Sequence, residues 1–178
     1  MEELEFLIFR IGREGFKMDP TKVKAVQDWP WPTKVLEVQQ FTGFIRYVRR
    51  CIKNLNQIAT PLTNLIKGSQ TFCWSEREQH AFEQLKKVVC AQPVLQLPNF
   101  SRPFEIHTDA FDFAYGVVLM QNGHPIAYES KTFSEIESRW PTHKKEMLAV
   151  VYALRKWWHY VQDKFTLVVT DNISLQYF

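Results

Sequence analysis

The spacing of hydrophobic positions changes several times along the chain, and each change predicts an element. Leu4, Phe6 and Ile8 alternate with other positions, and Gly12 and Gly15 follow, which predicts a strand and turn over residues 1–18. Asp19-Pro20 supplies an N-cap and a first helical position for a short helix with Val23, Val26 and Trp29 on its apolar face, stopped by Pro30 and Pro32. Steps of three and four through Val38, Phe41, Ile45, Val48 and Ile52 predict a second helix over residues 34–52. A third helical piece runs from Thr60 or Pro61 to Lys67 and ends at Gly68. Ser75-Glu-Arg-Glu78 is a capping box ahead of a helix that buries Phe82, Leu85, Val88 and Val89. Pro93, Pro98 and Pro103 then break up an extended connector, whose Val94, Leu95, Leu97 and Phe100 predict that it packs on something.

From Arg102 the period becomes two. Phe104, Ile106 and Thr108 point one way, and Glu105, His107 and Asp109 the other. Tyr115–Gln121 is a second strand, Asn122-Gly123 a hairpin turn and His124–Ser130 the returning strand. A long helix follows from Thr142 to Val161, with Met147, Val150, Val151, Leu154, Trp157, Trp158 and Val161 along its buried side. Phe165–Thr170 is a fourth strand, and Ser174–Phe178 starts another helix. The predicted fold class is α+β or α/β: a small helical subdomain followed by a β-β-β-α-β unit. Its last strand lies parallel to its first after a crossover. The expected parts are residues 1–68, a connecting helix and linker over 69–103, and the β-β-β-α-β domain over 104–178.

Candidate chemistry collects at one end of that second unit. Two strands end alike, in Thr108-Asp109 and Thr170-Asp171, and the crossover helix carries Glu146 near its start. Ligand sites form at the carboxyl ends of parallel strands. Three carboxylates gathered there suit Mg²⁺ or Mn²⁺, and two such ions can clamp the attacking and leaving oxygens of a phosphodiester. Each residue alone also has an ordinary structural role: an Asp after a strand favours a turn, and a Glu in the first turns of a helix favours its dipole.

Composition narrows the picture. The chain has 178 residues, 46% hydrophobic and 23% charged, as in globular rather than disordered proteins. Its three cysteines, Cys51, Cys73 and Cys90, lack C-x-x-C spacing, which argues against a disulfide framework and predicts a reducing, intracellular setting, cytoplasmic or nuclear. The five histidines show no ligand spacing. No apolar run is long enough to span a bilayer, so no membrane partner is expected. The net charge of +3 is unevenly placed: residues 38–75 hold no acid but carry Arg46, Arg49, Arg50, Lys53 and Lys67. Arg46, Arg49, Arg50 and Lys53 are candidate nucleic-acid contacts, although basic residues at a helix C-terminus also suit the dipole. Trp29, Trp31 and Tyr47 are aromatic candidates for the same surface, or for core packing.

These residues resemble the C-terminal part of a reverse transcriptase from a gypsy-class LTR retrotransposon. Gly12-Arg-Glu-Gly-Phe-Lys-Met-Asp-Pro20 and Trp29-Pro30 resemble the passage from palm to thumb. Phe41-Thr-Gly-Phe44, Tyr47-Val-Arg-Arg50 and Ile58-Ala-Thr-Pro-Leu-Thr63 resemble the thumb. Phe72-Cys-Trp-Ser75, Phe104-Glu-Ile-His-Thr-Asp-Ala110, His124-Pro-Ile-Ala-Tyr128, Lys145-Glu-Met-Leu-Ala149 and Thr170-Asp-Asn172 resemble the RNase H domain and the helix leading into it. The resemblance implies that Asp109, Glu146 and Asp171 are three of four catalytic, metal-binding carboxylates, that two Mg²⁺ or Mn²⁺ ions are the cofactors, and that the substrate is the RNA of an RNA–DNA hybrid. The Tyr-x-Asp-Asp turn of the polymerase site is absent, so DNA synthesis is not expected. The sequence stops before the family's fifth strand and fourth carboxylate. Phe111 and Lys144 also stand where the family has small or acidic residues. Weak or lost cleavage is therefore expected, with a non-catalytic nucleic-acid-binding or protein-interaction module as the alternative. A homo-oligomer or partner chain is expected to cover the last strand's edge.

Overall fold

Residues 4–18 form three short strands rather than one. In the computed structural model, which describes residues 4–6, 9–12, 15–67, 72–91, 95–162 and 164–170, β1 (Leu4–Phe6), β2 (Phe9–Gly12) and β3 (Gly15–Met18) pair in sequence order as an antiparallel meander. Gly15 holds φ +128°, a conformation few side chains adopt, which is how the chain reverses so tightly there.

The helical part follows its apolar spacing, with corrections at the ends. Helix α1 (Pro20–Gln27) starts as expected: the Asp19 carboxylate accepts from the Thr21 N–H and hydroxyl, and from Arg10 Nε at 2.7 Å. Helix α2 (Val35–Tyr47) is shorter than its pattern, because the chain tightens into a 3-10 turn over Arg49–Cys51. Helix α3 (Leu55–Lys67) begins five residues before Thr60, and Pro61 lies inside it. Proline at that position read as a start signal, but Asn54 at φ +53° is where the helix departs. Helix α4 (Glu76–Cys90) carries the full Ser75/Glu78 capping box. Val38, Phe41, Ile45, Leu62, Phe82, Leu85 and Leu95 share one core, with Trp29 wedged against Phe41 and Phe44. The expected helix stop at Gly68, the connector residues Pro93 and Val94, and a helix from Ser174 lie outside the described residues.

The second sheet has the order β6-β5-β4-β7. Strands β4 (Phe104–Ala110), β5 (Ala114–Gln121) and β6 (His124–Thr132) form the expected meander, turning at Asn122 and Gly123, both with positive φ. Two four-residue helices, α5 (Glu135–Ser138) and α7 (Trp158–Val161), flank α6 (Thr142–Lys156). Strand β7 (Thr166–Thr170) then returns parallel to β4, in register from Phe104↔Thr166 to Thr108↔Thr170. This is the α+β architecture expected from the sequence. Ala149, Ala153, Trp157 and Val161 pack with Phe104, Ile106, Tyr115, Val117 and Leu119 to form a second core. The buried side of α6 differs from the expected stripe: Glu146, Ala149 and Ala153 are buried, Met147, Val150, Val151 and Leu154 are half-buried, and past the break at Trp157 the Trp158 side chain is 61% exposed.

The two parts meet along β6 and the face of the sheet turned away from α6. Glu129 on β6, 5% exposed, is paired with Arg49 at 3.3 Å and with Lys156 at 3.2 Å. The Asn56 N–H donates to Ser130 Oγ at 3.0 Å. On the other side of the joint, Leu95 bonds Phe16 through both backbone groups and the Gln96 N–H donates to the Pro125 carbonyl. Gln121, fully buried, accepts from the Asn99 N–H and donates to the carbonyls of Asn99, Arg102 and Pro103, tying the connector to the sheet.

Candidate functional site

Strand alternation divides the sheet into two faces. Phe104, Ile106 and Thr108 are buried under α6, so Glu105, His107 and Asp109 occupy the other face. A cavity of about 500 Å³ opens on that face, lined by His107, Thr108, Asp109, Gly116, Val118, Met120, Tyr128, Val169 and Thr170 of the sheet, and by Lys53 and Asn54 of the helical part. Asp109 is half-buried in its wall. His107 and Glu105 pair beside it at 3.2 Å. Burial, with Cys51 nearby, pushes the Tyr128 phenol up from its usual range, so Tyr128 lines the cavity as a neutral group.

Glu146 reaches this end of the sheet from the other side. It lies one turn before Ala149 on the face of α6 that packs on β4 and is 2% exposed. Helix α6 leads back to the start of β7, so its first turns stand at the carboxyl ends of β4 and β7. A carboxylate so deeply buried is expensive unless a cation or hydrogen-bond donors compensate it. Asp171, which follows Thr170 in sequence, lies outside the described residues. Among the described residues no three of His, Cys, Asp and Glu are close enough together to hold a metal ion. The hard oxygen donors of Asp109 and Glu146 are nevertheless of the type that Mg²⁺ and Mn²⁺ take.

The four basic residues have different surroundings. Arg46, Arg49, Arg50 and Lys53 are all exposed, and Arg49 is in addition paired with Glu129, which joins the two parts. Lys53 shares the cavity of Asp109, while Arg46 lies in a separate groove with Lys67 and Lys131. Of the aromatic candidates, Trp29 is core, whereas Trp31 and Tyr47 are 63% and 53% exposed. Among the described residues no helix is long and apolar enough to cross a membrane.

Residues 74–168 are matched by a family model described as the RNase H-like domain found in reverse transcriptase. The chain belongs to this family, as the resemblance implied. It is 37% identical over 177 residues to the retrovirus-related Pol polyprotein from transposon 297 of Drosophila melanogaster, covering 99% of this chain and 17% of that protein. With the Pol polyprotein from transposon gypsy of the same organism it shares 36% identity over 167 residues, covering 87% of this chain and 16% of the relative. The Tf2-3 polyprotein of Schizosaccharomyces pombe is 30% identical over 97% of this chain and 14% of its own length. The chain thus spans about one sixth of the relatives it matches. In fold it is similar to the foamy viral protease-reverse transcriptase: TM-score 0.85 over 98% of this chain and 32% of the chain solved with double-stranded DNA, and 0.84 over 98% and 24% with an RNA/DNA hybrid, both at 22% identity.

Proposed function

We propose that this chain is the part of a retrotransposon polyprotein that binds an RNA–DNA hybrid and carries three carboxylates of a metal-dependent ribonuclease H site. The observation that carries the reading is the register of β4 with β7: Thr108 pairs with Thr170, so the strands that lead into Asp109 and Asp171 run in parallel to the same edge of the sheet. Glu146 is buried on the helix between them. Asp109, Glu146 and Asp171 are the residues that would hold two Mg²⁺ or Mn²⁺ ions. Bound ions supply Lewis-acid stabilisation of phosphodiester oxygens. The chain's own part is to fix Asp109 on a strand paired on both sides and to keep Glu146 away from bulk water.

In this reading residues 1–68 are the end of a palm and a thumb-like helical part, 69–103 connect, and 104–178 form the RNase H-like part. Arg46, Arg50 and Lys53 hold hybrid phosphates, which need charge rather than chemistry. Strand β7 is paired with β4 alone among the described residues, and Phe165 and Leu167 are 81% and 49% exposed. A second copy or a partner segment covers that edge, and light scattering that shows only monomer over a wide concentration range counts against it.

The test of function is cleavage of a fluorescent RNA–DNA hybrid in Mg²⁺ and in Mn²⁺. Cleavage that disappears in Asp109→Asn supports the enzyme. Hybrid binding without cleavage in either metal rejects the enzyme and leaves the non-catalytic nucleic-acid module.

A further inference from the structure

We propose that Lys53 is a phosphate-binding residue of the Asp109 site, delivered there by the helical part of the chain. This deepens the function proposed above and rests on it for the identity of the polyanion. Lys53 and Asp109 stand 56 positions apart in sequence yet line one cavity of about 500 Å³.

The placement of Lys53 is built rather than incidental. Ser130 on β6, Gly116 on β5 and Asp109 on β4 form one row across the sheet, each in register with the next. The segment after the 3-10 turn runs along that row. The Asn56 N–H bonds Ser130, and the Asn54 side chain lies directly on Gly116. A Cβ on Gly116 would come within 2.0 Å of Asn54 Oδ1, so only glycine admits this contact as it stands. Ile52 and Leu55 are buried on either side, at 0% and 5% exposure. Lys53 is thus an exposed lysine on a backbone anchored at both ends, beside the third member of the row.

The charge pattern names the ligand class. Asp109 is a carboxylate in the wall of a cavity that a polyanionic substrate must approach, and its like charge opposes that approach. Lys53 is the lysine in the same lining, where His107 is engaged by Glu105. A lysine ammonium is a compact point charge suited to a single phosphate. The ligand is therefore a phosphodiester of the nucleic-acid backbone next to the Asp109 carboxylate, with Lys53 touching it and Asn54 acting as the positioning residue.

The test uses this whole chain and a fluorescein-labelled RNA–DNA hybrid, with binding read by anisotropy in EDTA between about 50 and 200 mM salt, where phosphate contacts show as a salt slope. Lys53→Ala is expected to weaken binding about three- to tenfold at the lower salt and to lower the slope of log affinity against log salt by about 0.9. Lys53→Arg restores most of both. Lys53 is exposed, so equal thermal melts are expected for all three proteins. Combined with Asp109→Asn, the effects depart from additivity by about twofold or more, because both groups act on one phosphate. Affinity unchanged in Lys53→Ala overturns the proposal. Strict additivity with Asp109→Asn also overturns it, by making Lys53 an ordinary surface contact. None of these readings needs turnover, so a wild-type chain that binds but does not cleave rejects the enzyme while the binding cycle still decides on Lys53.

Discussion

Gly116 is where the helical part touches the sheet most closely, and replacing it tests that contact. In Gly116→Ala the new Cβ would stand 2.0 Å from Asn54 Oδ1, 3.1 Å from its Cγ and 3.9 Å from its Cα. The first two distances lie well inside van der Waals contact, so Asn54 must move. The backbone of Asn54, at φ +53° with its carbonyl accepting from the Gln57 N–H at 3.0 Å, stays in place, so the side chain must rotate off Gly116 and give up its contact with the sheet. Overpacking of this kind costs about 1–3 kcal/mol. Gly116 itself is not at positive φ, so alanine adds no backbone strain there. With the obstruction removed, the lost chain entropy of the unfolded state makes alanine neutral or stabilising by up to about 1 kcal/mol. Asn54→Gly removes the obstruction and suits the positive φ. The prediction is therefore a sign change: Gly116→Ala destabilises the wild-type chain by about 1–3 kcal/mol, or roughly 2–12 °C in Tm for a chain of this size. In the Asn54→Gly background it is neutral or stabilising. Urea unfolding of the four proteins, with equal m-values, measures the cycle. An equal cost of Gly116→Ala in both backgrounds would refute the docking of Asn54 on the sheet.

Glu129→Ala leaves Arg49 and Lys156 without their shared carboxylate. Both are partly exposed, so the expected loss is about 1–3 kcal/mol in urea unfolding, below that of a fully buried pair. Asp19 is held down to about 2 by the hydrogen bonds from the Thr21 side chain, the Arg10 side chain and the Thr21 backbone. A depressed carboxyl stabilises the fold above the unfolded value and loses that contribution as pH falls towards the folded value. The urea midpoint should therefore drop between about pH 4 and pH 2, and Asp19→Asn should remove that part of the drop. Burial pushes the Cys51 thiol up to about 12, with Arg50 opposing only slightly, while Cys73 is exposed. A thiol reagent at neutral pH should label Cys73 quickly in the native chain and reach Cys51 only after unfolding.

Much of the second unit was legible because its periods are clean. Alternation at Phe104–Asp109 and the Asn122-Gly123 turn each have one reading, whereas the large apolar residues of α6 misplaced its buried face, which small Ala149 and Ala153 form. The parallel return of β7 followed from those elements and the crossover rule. The ends of helices were less legible. Pro61 read as a first helical position, whereas the real start is set by Asn54 and its contact with Gly116, a tertiary cause invisible to local pattern. Trp158 fitted the apolar stripe of α6, but a break at Trp157 turned it outward. The short helix α5 was missed even though Ser134 and Glu137 form a capping box, because no apolar run follows it. At the site, the sequence pointed to Asp109, Glu146 and Asp171, of which Asp171 lies outside the described residues. It gave no sign that Lys53, read as part of a basic helix, lines the same cavity as Asp109, since that depends on how two cores meet. Arg49 likewise read as one of four equivalent cations, yet a buried acid 80 residues away claims it.

The joint between the two cores acts as a ruler. Glu129 holds Arg49, the Asn56 N–H donates to Ser130, and the Gln96 N–H donates to the Pro125 carbonyl. The distance from the exposed Arg46 and Arg50 to the Asp109 edge is then a constant of the fold rather than a variable of the substrate. Under the function proposed above, this geometry spaces the cuts: fragment lengths from hybrids of different sequence should share one period, and loosening the joint by Glu129→Ala should blur it.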